Sequence, residues 1–273
     1  MTFSIIGGDK RFLHLKTLLE ADHHIVHLHG FDKLSANTVT LEEAVNRSDY
    51  LVCGVPFAKD GHLFAPFSSP IPCTDFLGLL SDRHVLIGGG LRSFSHPKKV
   101  DLLDDAAFIQ YNAIPTAEGV IKIAIEETNF TLNGATVVIV GFGRIGSITA
   151  KLFAAMGSHV TVVTPDPLTF SQSVSHGFRT VRYEYLIDEL LTADILVSTP
   201  PGEIITSKHL LYLDDSALII DISSVPYGVT QDAIKYGIKT IWARALPGIV
   251  APYTGAIYIR DALYEGIRLG GYL

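Results

Sequence analysis

Residues 136–146 read Thr136-Val137-Val138-Ile139-Val140-Gly141-Phe142-Gly143-Arg144-Ile145-Gly146, a run of strand formers entering a GxGxxG that opens the amphipathic stretch Ser147 to Met156. The order decides more than the string does. In a strand–turn–helix unit the first glycine permits the tight turn, the second lets backbone N–H groups approach a pyrophosphate, and the third lets the helix pack on the strand. A glycine turn that only packs a helix is the bland alternative, and the correct order of strand, fingerprint and helix argues against it. Gly141, Phe142, Gly143, Arg144, Ile145 and Gly146 are therefore candidate dinucleotide contacts.

On both sides of this unit, short Val- and Ile-rich runs alternate with helix-length amphipathic stretches, the pattern of parallel strands covered on both faces by crossover helices. After Ala135–Val140 the expected strands are 159–163, 195–198, 217–221 and 240–243; before it they are 3–6, 25–29, 50–54, 84–87 and 107–111. The fold class is α/β, with two Rossmann-like doubly wound parallel-sheet domains and an interdomain cleft. Pro115 with Thr116 as cap marks the start of a linker helix, and Pro247-Gly248 and Pro252 precede a terminal helix. The expected division is an amino-terminal domain at 1–115, onto which a terminal helix at 252–273 packs back, and a linker helix plus nucleotide-binding domain at 116–251.

The 273 residues suffice for two cores, and 48% hydrophobic against 18% charged residues excludes a disordered chain. Lys and Arg total 21 against 28 Asp and Glu, so the charge of −7 is the wrong sign for gripping nucleic acid. Cys53 and Cys73 have no CxxC or His spacing of a zinc site, consistent with a reducing cytoplasm. The start, Met1-Thr2-Phe3-Ser4-Ile5-Ile6-Gly7-Gly8, has no signal-peptide pattern, and no run reaches the roughly 18 apolar residues of a membrane helix. A mean hydropathy of +0.32 then points to buried sheets and a subunit interface, that is, a homo-oligomer.

Other strand ends supply further cofactor candidates. At the end of the strand after the fingerprint, where an acid would hold a ribose 2′-hydroxyl, stand Thr164, Pro165 and Asp166. An uncharged Thr164 tilts the reading to NADP, Asp166 weakens that tilt, and NAD stays open. Thr199-Pro200 and Asp221 with Ser223 and Ser224 are candidates for the nicotinamide end, with simple turn or cap roles as the alternative. Near the amino terminus Gly7-Gly8-Asp9-Lys10-Arg11 joins a strand to a helix without a third glycine, so a carboxylate received at Gly8 with Arg11 is expected rather than a second dinucleotide. Asp32 reads as a turn residue. His23, His24, His27 and His29 lack a carboxylate at ligand spacing, so no metal is expected. Hydrolase and phosphoryl-transfer motifs are absent, which leaves redox chemistry.

Four segments together resemble one family: Gly7-Gly8-Asp9-Lys10-Arg11, Tyr111-Asn112-Ala113-Ile114-Pro115-Thr116-Ala117-Glu118-Gly119, the Gly141 fingerprint, and Leu246-Pro247-Gly248-Ile249-Val250-Ala251-Pro252-Tyr253-Thr254. In that order they are similar to the dipicolinate synthase A-subunit family. The resemblance implies an α/β domain joined to a nucleotide-binding domain, and an NAD(P)-dependent oxidation of a dihydrodipicolinate-type intermediate to dipicolinate, pyridine-2,6-dicarboxylate, in sporulating bacteria. It also implies a partner, the flavoprotein-like B-subunit of dipicolinate synthase. For such a dicarboxylate, Gly8, Arg11, Asn112, Thr116 and Thr254 are candidate donors and Glu118 a candidate base, its bland role being a helix-start carboxylate. Arg92 and Arg244 lie outside the shared strings and receive no role. The alternatives are an NAD(P)-dependent 2-hydroxyacid or amino-acid dehydrogenase, and a non-catalytic NADP-binding partner of a flavoprotein.

Overall fold

The chain runs β1 (Thr2–Ile6), α1 (Lys10–Ala21), β2 (Ile25–His29), α2 (Leu41–Asn46), β3 (Tyr50–Cys53), the short hairpin β4 (Ala58–Lys59) and β5 (His62–Leu63), α3 (Cys73–Gly78), β6 (Val85–Gly88) and β7 (Lys99–Asp101). Helix α4 (Ala106–Glu127) leads into β8 (Thr136–Val140), α5 (Arg144–Ala155), β9 (His159–Val163), α6 (Pro167–Ser175), β10 (Arg179–Val181), α7 (Leu186–Leu190) and β11 (Ile195–Ser198). There follow α8 (Ser207–Leu210), β12 (Leu218–Asp221), β13 (Lys239–Trp242), α9 (Leu246–Val250) and α10 (Pro252–Gly270). The computed structural model describes residues 1–34 and 38–273, which form two units, Met1–Asn112 with Pro247–Leu273, and Ala113–Leu246.

In the first unit the parallel sheet has the order β2-β1-β3-β6-β7, a doubly wound arrangement in which the crossovers bury both faces. Its core joins Phe3, Ile5, Phe12 and Leu15 to Ala256, Ile259 and Leu263 of α10. That helix starts with Pro252 in its first turn, buries Gly255, Ala256, Ile259, Ala262, Leu263 and Ile267 at helical spacing, and stops at a left-handed Gly271.

In the second unit the parallel order is β10-β9-β8-β11-β12-β13. Counted within the unit this is 3-2-1-4-5-6, the dinucleotide-binding order, in which the winding reverses between β8 and β11. Ligands bind beyond the carboxyl ends of the strands at such a reversal. Val137, Ile139, Phe142 and Phe153 share one core cluster with Val120 and Ala124 of α4 and with Ala243 and Leu246.

The structure corrects the sequence reading around Pro115. Residues 107–111 are not a strand but the first turns of α4, because Asp105 caps them by accepting from the N–H groups of Ala107 and Phe108 at 2.8 and 3.0 Å. A short apolar run before a proline fits strand or helix equally well, and here the cap decides. Pro115 lies inside the helix and removes the N–H that would bond the Tyr111 carbonyl. Thr116 is consequently mid-helix rather than at a helix start. The short strands β7 and β10 have no counterpart in the sequence reading, and Pro247–Val250 groups with the first unit rather than with the nucleotide-binding one.

Candidate functional site

The three fingerprint glycines have three different surroundings. Gly141 has φ +91°, and a Cβ there would stand 2.4 Å from the Thr199 hydroxyl oxygen. At Gly146 a Cβ would stand 2.3 Å from the carbonyl oxygen of Gly141, so the first and third glycines are required by the fold. Gly143 is exposed, and a Cβ there meets nothing within 4 Å. It also begins α5 without a side-chain cap, which leaves the helix's first N–H groups for an external acceptor. Open space at uncapped N–H groups fits the pyrophosphate of a dinucleotide. Phe142 turns its ring into the core, edge-on to His176 and Phe178 at 5.9 and 5.7 Å, and Ile145 is half-buried, so both offer backbone to a ligand. The Arg144 side chain is exposed.

The other expected cofactor residues lie at the carboxyl ends of β9, β11 and β12, beside the fingerprint in the same sheet. Thr199 is tied there by two bonds to the Val140 carbonyl, from its N–H at 3.1 Å and its hydroxyl at 3.0 Å. With Pro200 it walls the turn behind Gly141.

Three expectations change. Thr164 is buried, with its hydroxyl 2.7 Å from that of Thr169, so it does not meet a ribose. Pro165 and Asp166 are exposed. Asp166 caps α6 by accepting from the Thr169 N–H at 2.8 Å, and this bond holds its carboxyl below the usual range. Asp221 is buried, and its two oxygens accept from the N–H groups of Ser223 and Val229 at 3.0 and 2.9 Å, so it anchors a loop rather than a ligand. Ser223 is also buried and accepts from the Gly228 N–H at 2.6 Å, whereas Ser224 is exposed.

Among the expected substrate donors, Gly8 gives its N–H to the Phe64 carbonyl, and Asp9 rather than an external anion caps α1. Arg11 is buried; its Nε and Nη2 reach Asp9, Nη2 also reaches the Val55 carbonyl, and Nη1 donates to Asn112 Oδ1 at 3.1 Å. Gly8, Arg11 and Asn112 thus brace the first unit instead of offering a free donor set. Thr116, no longer a helix start, presents no dipole end. Thr254 is half-buried in the first turn of α10. Glu118 is exposed in the middle of α4 rather than at its start, which removes its expected role as a helix-start carboxylate. The next residue, Gly119, packs against Leu246, just past β13.

Beyond Ser223 and Ser224 the sequence did not disclose the loop that runs on to Thr230, whose only signals were turn-forming residues between two strands. It carries Tyr227, over whose ring the unassigned Arg244 lies. Among the described residues no group of three His, Cys, Asp or Glu side chains could hold a metal ion, and no helix is long and apolar enough to cross a membrane.

The family of dipicolinate synthase A-subunit N-terminal domains matches residues 2–96, and that of the S-adenosyl-L-homocysteine hydrolase NAD binding domain matches residues 113–242. The second match agrees with the sheet order and the fingerprint, and it makes the second unit a nicotinamide-dinucleotide-binding domain. The dipicolinate synthase A-subunit of Bacillus subtilis (strain 168) is 28% identical over 284 residues, covering 96% of this chain and 94% of that protein. The dipicolinate synthase A-subunit from Bacillus halodurans superposes with a TM-score of 0.85 at 28% identity, over 97% of this chain and 96% of that one. The solved structure of the Bacillus subtilis protein does so with a TM-score of 0.81 at 28% identity, over 100% and 97%. In sequence and in structure, then, this chain is similar to dipicolinate synthase A-subunits along the length of both chains.

Proposed function

We propose that the chain is the nicotinamide-dependent component of a dipicolinate synthase, oxidising a dihydrodipicolinate to pyridine-2,6-dicarboxylate in the cytoplasm of a sporulating bacterium, and that its partner is a flavoprotein-like second subunit. The observation that carries this reading is the full-length likeness to dipicolinate synthase A-subunits, joined to an open fingerprint at Gly143.

A nicotinamide dinucleotide, when bound, accepts a hydride. The residues of this chain do the rest. The N–H groups at the start of α5 would hold its pyrophosphate, Thr199 and Pro200 fix the turn behind that position, and the carboxyl ends of β11 and β12 would supply the wall on the nicotinamide side. The dihydropyridine ring gives up a hydride and a proton and becomes aromatic, and Glu118, exposed to solvent, takes the proton. With Thr164 buried, the exposed carboxylate nearest the end of β9 is that of Asp166, the cap of α6; a carboxylate repels a 2′-phosphate, which favours NAD over the NADP expected from Thr164.

The test is to incubate the purified chain with enzymatically generated dihydrodipicolinate and NAD or NADP, with and without the flavoprotein-like partner, and follow the reduced nicotinamide. Reduction coupled to dipicolinate formation is expected. Dipicolinate formed by the partner at the same rate without this chain would overturn the reading.

A further inference from the structure

The carboxyl end of β13 carries a cation that the cofactor reading leaves unused. Trp242 pairs with Asp221 across β12 and β13, and the Ala243 N–H still reaches the Asp221 carbonyl at 2.8 Å. The next residue, Arg244, leaves the sheet. It is exposed, and among the described residues it has no carboxylate partner. What it has is an aromatic seat: its guanidinium carbon lies 4.4 Å from the centroid of the Tyr227 ring.

That seat is held rigidly. Tyr227 stands edge-on to Trp242 at 6.2 Å, and its loop is pinned by the two Asp221 oxygens and by Ser223. Gly228 cannot carry a side chain, since a Cβ there would meet the Ser198 hydroxyl oxygen at 2.3 Å and the Pro200 carbonyl at 2.8 Å. Beyond Arg244, Ala245 has φ +55°, a left-handed backbone that an alanine rarely adopts and that turns the chain away directly after the arginine. Strain of this kind is kept where a neighbouring group must be aimed.

A guanidinium held over a ring by cation–π attraction still has N–H groups to give, and its planar fork matches a carboxylate with two parallel bonds. Arg244 stands three strands from the fingerprint, about 14 Å at the usual strand spacing, on the side of β8 opposite β9. A dinucleotide whose adenosine lies over β9 puts its nicotinamide on that same side. We propose that Arg244, seated on Tyr227, is the specificity-determining cation that binds a carboxylate of the substrate beside the nicotinamide. This rests on the proposed oxidation of a small dicarboxylate and adds the group that selects it.

The experiment is calorimetric titration of the full chain, saturated with its dinucleotide, with pyridine-2,6-dicarboxylate and with pyridine-2-carboxylate, comparing the parent with Arg244→Gln, Arg244→Lys, Tyr227→Phe and Tyr227→Leu. Losing a charge-assisted bidentate contact should weaken dicarboxylate binding roughly ten- to hundredfold in Arg244→Gln. Arg244→Lys should recover part of it, Tyr227→Phe should keep it because the ring remains, and Tyr227→Leu should fall between. Dinucleotide affinity, measured first without any carboxylate, should stay at the parent value throughout. Parent-like dicarboxylate binding in Arg244→Gln would overturn the inference and leave the proposed reaction standing. So would an equal loss of dinucleotide affinity, which would assign Arg244 to the cofactor. If the parent ignores the pyridine carboxylates but binds another small carboxylate in an Arg244-dependent way, the arginine's role is upheld and the proposed reaction fails.

Discussion

Arg11 closes on Asp9 with its Nε at 2.9 and 3.2 Å from the two carboxylate oxygens and its Nη2 at 2.8 Å from Oδ2, and both residues are buried. Chain from distant positions packs on this pair. A Cβ at Gly248 would stand 2.6 Å from the Asp9 carboxyl, and one at Gly255 would stand 2.7 Å from Arg11 Cδ. With Arg11 Nη1 donating to Asn112 Oδ1 at 3.1 Å, three of the segments that carry the family resemblance meet at one ion pair inside the first unit.

Removing one partner of a buried pair leaves an uncompensated charge. Arg11→Ala should destabilise the protein by about 3–5 kcal/mol, read from denaturant unfolding. The double variant Asp9→Leu with Arg11→Met should recover a good part of that loss. If Arg11→Ala unfolded like the parent and lost only substrate binding, the arginine would be a ligand after all.

The glycine surroundings predict a separation of folding from binding. Gly143→Val enters open space and should leave the melting temperature nearly unchanged while abolishing dinucleotide binding. Gly141→Val must take a left-handed backbone against the Thr199 hydroxyl and should unfold the second unit or shift its transition by several degrees. Parent-like dinucleotide titration of Gly143→Val would place the cofactor elsewhere.

The sheet order was legible because parallel strands buried on both faces announce themselves as Val- and Ile-rich runs, and because the GxGxxG marks which strand the winding starts from. What misled was local chemistry that a string cannot separate. Thr164 and Asp166 are both polar residues at a strand end, and only the Thr164–Thr169 contact shows which one is buried. Asp221 has the composition of a ribose ligand and the bonds of a loop anchor. Arg11 is one cation among many until Asp9 and Asn112 are seen around it. Burial and partners are long-range facts, and the charged groups of a site are sorted by them.

Cofactor choice should follow Asp166. Asp166→Ser keeps an oxygen for the α6 cap and removes the charge, so the affinity ratio of NADP to NAD should rise about tenfold, measured by fluorescence titration. Thr164→Asp instead pushes a carboxylate into a buried position and should cost about 1–3 kcal/mol of stability. A reversed preference in a fully stable Thr164→Asp would restore Thr164 to the ribose.

His84 predicts the acid limb of stability. It is buried, the Ser81 N–H donates to its Nδ1 at 2.9 Å, and burial, followed by the charge of Arg83, pulls its pKa below the ordinary 6.5. Because the folded state takes up its proton later than the unfolded chain, stability is intact above pH 6.5 and declines as pH falls from 6.5 toward the lower folded value. Burial shifts His24, His27 and His209 the same way. His84→Asn should flatten part of this slope in urea melts taken across that window, and an unchanged slope would remove His84 as a cause.

Glu118 is the proposed proton acceptor, and its surroundings make the test clean. It is exposed on α4, so replacing it disturbs no packing, and its neighbour Gly119 fixes the helix by fitting against Leu246, where a Cβ would stand 2.9 Å from that residue's own. Glu118→Gln keeps shape and removes basicity. General base catalysis contributes roughly 10²- to 10⁴-fold, so dipicolinate formation should fall by that order while dinucleotide affinity and melting temperature hold. Glu118→Asp, with a shorter reach, should retain an intermediate rate. The pH profile adds a readout that a structural role would not move: Glu118→Gln should change its shape. A Glu118→Gln enzyme with the parent's rate and profile would return the residue to a solvated helix face, and the proton would then leave directly to water.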